Sequence, residues 1–115
     1  MIIAKTFYFD SAHKLPNYEG KCRFLHGHRF RLDVVVEGHV NPLTGMVMDF
    51  SYLKEVVNSR IIQLLDHCLL NEILENPTAE NLLFWIADDL KNLLPDLKRL
   101  RLYETPDSYA ELEVK

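Results

Sequence analysis

The sequence predicts an α+β fold, with two helices laid on one face of an antiparallel sheet. Three observations predict it: strand-like alternation in the N-terminal third, two apolar stripes at helical spacing in the middle, and a turn-centred hairpin at the end. Ile2 to His13 alternates, with Ile3, Phe7, Phe9, Ser11 and His13 of one parity, so the histidine continues the apolar face. In KLPNYEGKCRFLHGH, Pro16, Asn17 and Gly20 mark a loop. A second strand is expected over about Arg29 to Val40, with Phe30, Leu32, Val34 and Val36 facing one way and Arg31, Asp33 and Glu37 the other. His26 and His28 share the parity of Phe30, so an unbulged pair of strands delivers all three histidines to one face.

Asn41-Pro42 and Thr44-Gly45 make a turn, after which Asp49 or Ser51 caps a helix running to about Leu65. Its expected stripe is Leu53, Val56, Val57, Ile61, Leu64 and Leu65. A second helix opens at ENPTAEN, where Pro77 suits a first turn and Asn76 or Thr78 can cap. Ala79, Leu82, Leu83, Ile86, Leu90 and Leu93 form its expected buried stripe. Past Pro95, Lys98 to Glu104 and Tyr109 to Val114 read as a hairpin around Thr105-Pro106-Asp107-Ser108. The order is β-β-α-α-β-β. The uncovered sheet face carries Arg31, Asp33, Val35 and Glu37, and also Lys5 if the first strand slips in parity. A small sheet with open edges pairs readily with copies of itself, so a ring-like homo-oligomer is expected.

A chain of 115 residues has room for one core, and a single domain over residues 1–115 is expected. Hydrophobic residues make up 48% and charged residues 26%, the balance of a folding globular chain rather than of a disordered one. The net charge of −4 gives no overall basic field to attract nucleic acid or anionic lipid, so neither is an expected partner. The N-terminus lacks the basic start and apolar run of a signal peptide, and no stretch is long and apolar enough to span a membrane. A cytoplasmic location is expected. Two cysteines, Cys22 and Cys68, are too few for a disulfide scaffold, and Cys68 in HCLLNEIL reads as a small buried hydrophobe.

His26-Gly27-His28 is the sharpest local signal, because residues two apart on a strand point two imidazoles the same way. His13, of matching parity on the neighbouring strand, makes a third ligand. Three histidines leave one position open on a tetrahedral Zn²⁺, which is the pattern of catalytic zinc. Cys22 lies between Lys21 and Arg23, surroundings that favour a thiolate; it reads as a reactive base beside the metal, with closure of the site as a fourth ligand the alternative. Asp66-His67 follows the first helix, where the carboxylate can orient an imidazole that serves the thiol. Glu104, at a strand end, can accept two N–H donors from the amino-imine edge of a heterocycle. His39 reads as a loop residue without a role.

F-x-F-x-x-A-H ending at His13, C-x-x-x-H-G-H from Cys22 to His28, Leu65-Asp66-His67, Asn76-Pro77-Thr78-Ala79-Glu80 and Tyr103-Glu104-Thr105 together resemble the 6-pyruvoyl-tetrahydropterin synthase / 6-carboxytetrahydropterin synthase family. The match runs in order over nearly the whole chain. The resemblance implies the tunnelling fold, in which subunits join their sheets into a barrel and two rings stack, commonly as a hexamer. It implies a lyase in which His13, His26 and His28 bind zinc, Cys22 takes a proton from the substrate side chain, and Asp66-His67, often from a neighbouring subunit, activates that cysteine. Glu104 then anchors the pterin ring and joins the proton relay. The three-residue gap between Cys22 and His26 resembles the carboxy branch. That branch converts 7,8-dihydroneopterin triphosphate to 6-carboxy-5,6,7,8-tetrahydropterin, releases acetaldehyde and triphosphate, and feeds 7-deazaguanine synthesis toward queuosine or archaeosine. The alternatives are a pyruvoyl-forming or aldolase-like enzyme on the same scaffold and, in another class, a non-catalytic zinc- or pterin-binding module. A cupin-like metal site fits poorly, since a glutamate soon after His28 and many further strands are missing. Lys14 is a candidate contact for the triphosphate, and Glu80 either supports the site or favours a helix N-terminus.

Overall fold

The computed structural model describes residues 1–115. Strand β1 (Ile2–His13) and strand β2 (His26–Glu37) form a long antiparallel hairpin. Helix α1 (Phe50–Val57) continues through a π turn (Asn58–Ile62) into the short α2 (Gln63–Leu65). Strand β3 (Cys68–Leu69), helix α3 (Ala79–Leu90), strand β4 (Leu97–Thr105) and strand β5 (Ser108–Glu113) complete the chain. The sheet order is β3-β1-β2-β4-β5. No helix is long and apolar enough to cross a membrane.

Both helices are capped as their sequences predict. Asp49 Oδ1 accepts the Ser51 N–H at 2.8 Å, and Thr78 Oγ1 accepts the Asn81 N–H at 3.1 Å, each satisfying a first-turn donor that has no partner within the helix. Twenty-one buried residues form one hydrophobic cluster, in which Phe7, Phe9, Phe30, Leu32, Val34 and Leu100 from the sheet meet Leu53, Ile61, Leu82, Ile86 and Leu90 from the helices. Phe9 and Phe30 stack with centroids 5.0 Å apart, and Phe30 lies edge-on to His13 and His28 at 5.6 and 5.4 Å. On the uncovered face Asp33 is buried, and its charge is satisfied by a two-point pair with Arg31 at 3.0 and 3.1 Å and by the Thr6 hydroxyl at 2.7 Å.

Four expectations need correction. The second strand starts at His26 and ends at Glu37, earlier at both ends than expected, because pairing with β1 begins at the His13↔His26 pair itself. The sheet is mixed: β3 pairs in parallel with β1 at Ser11↔Cys68 and Ala12↔Leu69. Two-residue strands leave no period for a sequence pattern to show. Leu64 is 55% exposed, and the buried positions are Leu53, Val57, Ile61 and Leu65, spaced by four. Residues four apart drift about 40° per step around a regular α-helix, and the wider π turn takes up part of that drift. Leu93 is likewise exposed, because α3 ends at Leu90 and the turn beyond it buries Leu94 instead. The parity of β1 holds throughout, so Lys5 stays on the Phe7 face with its ammonium 5.9 Å from that ring.

Candidate metal centre and active site

The register of β1 and β2 runs without a shift from Ile2↔Glu37 to His13↔His26. His13 and His26 therefore oppose each other directly, while His28 sits one pleat further along on the same face, opposite Ser11. The ring centroids are 4.5 Å apart for His13 and His26, 4.8 Å for His26 and His28, and 5.2 Å for His13 and His28. One ligand atom from each lies within 4.8 Å of the others, and Cys22 is not a member of that cluster.

Hydrogen bonding assigns the ring nitrogens their parts. His13 Nδ1 lies 2.8 Å from the Pro77 carbonyl and His26 Nδ1 2.8 Å from the Phe24 carbonyl. A carbonyl only accepts, so each Nδ1 carries the proton and each Nε2 is left with a free lone pair. Nε2 of His13, His26 and His28 are all buried without a partner. Buried polar atoms are rarely left unpaired, and three such ring nitrogens gathered in one place, two of them with tautomers fixed by outer carbonyls, match the ligand set of a divalent metal. Burial depresses the basicity of both His13 and His28, which keeps their lone pairs available. For His13 the Pro77 carbonyl opposes that effect, and for both residues the charge of Glu104, which borders one cleft with His28, does so.

The depressed His13 and His28 pKa values carry a stability consequence for the metal-free protein. The unfolded chain takes up these protons near pH 6.5, before the folded one does, so the contribution is complete above that value and is lost as pH falls through the folded values. The denaturant midpoint of metal-free protein is expected to drop between about pH 7.5 and about pH 5.5. A flat midpoint over that interval contradicts the assignment.

A second group forms where the first helix meets β1. His67 Nδ1 pairs with Asp66 Oδ2 at 2.9 Å, and Asp66 Oδ1 accepts the Asp10 N–H at 2.9 Å. That backbone bond is the chief cause of the lowered Asp66 pKa, which keeps the carboxylate ionised beside the imidazole. His67 has φ of 56°, in the left-handed region, and its N–H donates to the Asp10 carbonyl at 2.7 Å. Holding a non-glycine residue there costs on the order of 1 kcal/mol, and the strand edge offsets it. The His67 ring is 79% exposed. It borders a cleft of about 670 Å³ whose walls include Asp10, Ser11, His28 and Cys68. Glu104, Tyr103, Arg29 and Arg31 border a neighbouring cleft of about 430 Å³, and His28 is common to both.

Of the site residues expected from sequence, the structure thus gathers His13, His26 and His28, sets Glu104 on a cleft with His28, and pairs Asp66 with His67. Cys22 lies on a 3₁₀ turn (Lys21–Arg23), half-buried, and lines neither cleft. Cys68 is not fully buried; its Sγ donates to the Leu65 carbonyl at 3.1 Å and it borders the cleft beside His67. Glu80 is exposed at the start of α3 and shares a small cleft of about 210 Å³ with Glu104. Sequence reasoning did not find the Pro77 and Phe24 carbonyls or the Asp10 peptide group, since a backbone partner leaves no trace in residue identity.

A family model described as 6-pyruvoyl tetrahydropterin synthase matches residues 2–115. The chain is 44% identical over 116 residues to the 6-carboxy-5,6,7,8-tetrahydropterin synthase of Synechocystis sp., covering 95% of this chain and 90% of that protein. It is 46% identical over 110 residues to the dihydroneopterin monophosphate aldolase of Pyrococcus furiosus, covering 91% and 90%. Among solved structures, the 6-pyruvoyl tetrahydropterin synthase of Caenorhabditis elegans superposes with a TM-score of 0.91 at 24% identity, covering 100% of this chain and 96% of the other.

Proposed function

The chain belongs to the 6-pyruvoyl tetrahydropterin synthase family, and from that membership we propose a zinc-dependent lyase that converts 7,8-dihydroneopterin triphosphate to 6-carboxy-5,6,7,8-tetrahydropterin, releasing acetaldehyde and triphosphate. The observation that carries the proposal is the trio of buried, unpartnered Nε2 atoms, with Glu104 on the cleft that His28 borders. Three neutral imidazoles suit Zn²⁺ and leave a position for substrate oxygen. Bound there, zinc supplies Lewis acidity, which acidifies a C–H adjacent to the substrate's side-chain oxygen. Glu104 accepts the amino and ring N–H groups of the pterin and so sets the side chain toward the histidines. Cys22 takes the proton as a thiolate, and His67, oriented by Asp66, relays it. Cys22 and His67 line no common cleft within one chain, which supports a site completed by a second copy.

Sheet edges support the same assembly. β3 covers β1 at Ser11 and Ala12, and Asp66 and His67 pair the Asp10 peptide groups, so Ile2 to Phe9 remains an open edge, and β5 is the other. Pairing the two edges between copies closes a barrel with no edge left, as in the tunnelling fold; a stacked hexamer is the proposed form. We place the protein in the cytoplasm, as a single domain supplying a 7-deazaguanine pathway.

The Pyrococcus furiosus relative, a dihydroneopterin monophosphate aldolase by name, favours a second reading, a retro-aldol cleavage on the same scaffold that releases glycolaldehyde still carrying its phosphate ester. Incubation of the zinc-loaded protein with dihydroneopterin triphosphate and, separately, with dihydroneopterin monophosphate, followed by mass spectrometry, separates the two. Acetaldehyde and 6-carboxytetrahydropterin from the triphosphate are expected; phosphorylated glycolaldehyde from either substrate or a pyruvoyl product overturns the carboxy reading, and no product from either favours a binding module.

A further inference from the structure

Lys14 is the first residue beyond β1, and its backbone leaves the sheet just after the ligand His13. Both of its peptide groups are nevertheless paired, and by a side chain. Asn71 Oδ1 accepts the Lys14 N–H at 2.9 Å, and Asn71 Nδ2 donates to the Lys14 carbonyl at 2.8 Å. The carboxamide thereby does what another residue of strand would do. The parallel register Ser11↔Cys68 and Ala12↔Leu69 continues numerically to Lys14 and Asn71, so the side chain extends the β1–β3 pairing past the point where backbone pairing stops.

The consequence reaches Cys22 in one further bond. Leu15, next along the chain, donates its N–H to the Cys22 carbonyl at 2.8 Å and closes the loop that carries the thiol. On its other side Asn71 belongs to a 3₁₀ turn (Leu70–Glu72) anchored by the fully buried Leu70, a few residues after Asp66 and His67. The segment holding the carboxylate–imidazole pair is thus tied to the loop holding the cysteine, with His13 between them.

We propose that Asn71 is a positioning residue: through the Lys14 peptide it fixes the Cys22 loop relative to the histidine cluster and the Asp66–His67 segment. The inference rests on the proposed function for its catalytic meaning, but its geometric content stands apart from it. Burial in this turn is supplied by Leu70, so the polar amide of Asn71 is not needed for the core; what it adds is the orientation of Lys14 and Leu15. A loop that carries a proton-transferring group must hold it within a fraction of an ångström, since misplacement by about 1 Å can cost about a hundredfold in rate.

The test uses full-length zinc-loaded protein with Asn71→Ala, which removes both bonds, and Asn71→Asp, which keeps the acceptor for the Lys14 N–H. Hydrogen exchange of peptides covering residues 14–25 and peptide-resolved alkylation of Cys22 by iodoacetamide are measured beside turnover of dihydroneopterin triphosphate. For Asn71→Ala, exchange is expected to quicken about tenfold and the alkylation rate to change by at least about threefold. Turnover should fall by about tenfold to a hundredfold, with KM within about threefold and zinc content unchanged. Asn71→Asp is expected to lie between it and the wild type; should the alanine protein not fold, the same exchange and alkylation comparison on Asn71→Asp decides. Wild-type exchange and alkylation in either variant overturns the proposal, as does loss of zinc together with turnover. If the wild-type protein forms no product, the functional reading fails, while exchange and alkylation still report on the Asn71 link.

Discussion

Replacing His26 with alanine is expected to strip the protein of its metal and of all measurable turnover while leaving the fold in place. Position 26 is the informative one among the three histidines. His13 is fully buried and bonded to Pro77, so its loss opens the core as well as the metal centre. His28 packs edge-on to Phe30 at 5.4 Å and walls both clefts. His26 opens β2 and is only half-buried, and its one hydrogen bond is to the local Phe24 carbonyl. Zinc sites bind with an apparent energy on the order of 10 kcal/mol, so losing one of three protein ligands weakens the ion by roughly a third of that, a loss of affinity of about a few hundredfold. Metal analysis after dialysis against a weak chelator, run beside thermal unfolding, reads the effect. A His26→Ala protein that keeps stoichiometric zinc would show that the three orphan nitrogens are not the ligand set.

How much of this could be seen in the residues depends on whether a feature is periodic. The β1 strand, its parity and the convergence of His13 with His26 and His28 follow from counting by twos, and the unbroken β1–β2 register is what makes the counting valid. Caps at Asp49 and Thr78 were legible because a short acceptor before an apolar run has a local mechanism. The π turn was not, since Leu53, Val57, Ile61 and Leu65 suit either a drifting α-helix or a widened one until the core selects. Nor was β3, whose pairing with β1 depends on a left-handed residue at His67 that no pattern demands of a histidine. The histidine cluster was legible from side-chain chemistry; its supporting shell of carbonyls and the Asn71 clamp consist of backbone contacts that the sequence does not encode locally.

Cys22→Ala is expected to behave in the opposite sense to the histidine variant, retaining zinc and losing turnover by about a hundredfold to ten-thousandfold, the usual contribution of a positioned proton-transfer group. The structure separates the two roles by location. All three histidines stand on paired strands, where register fixes their distances to within the spread of the ladder, and a metal needs that rigidity. Cys22 stands on a 3₁₀ turn in the connecting loop, tied back through Leu15, outside the ligand cluster and facing neither cleft of its own chain. A group so placed is suited to approach substrate from the side, and in the proposed assembly a second copy brings His67 within its reach. Mixing Cys22→Ala with His67→Ala protein under conditions that exchange subunits therefore offers a sharper readout than either alone. Mixed rings contain interfaces with both groups intact and are expected to recover turnover, with a ceiling of about a quarter of wild type for random mixing in which each site draws the two groups from two copies. No recovery would place Cys22 and His67 of each working site on one chain, and zinc loss in the cysteine variant would return Cys22 to the coordination shell.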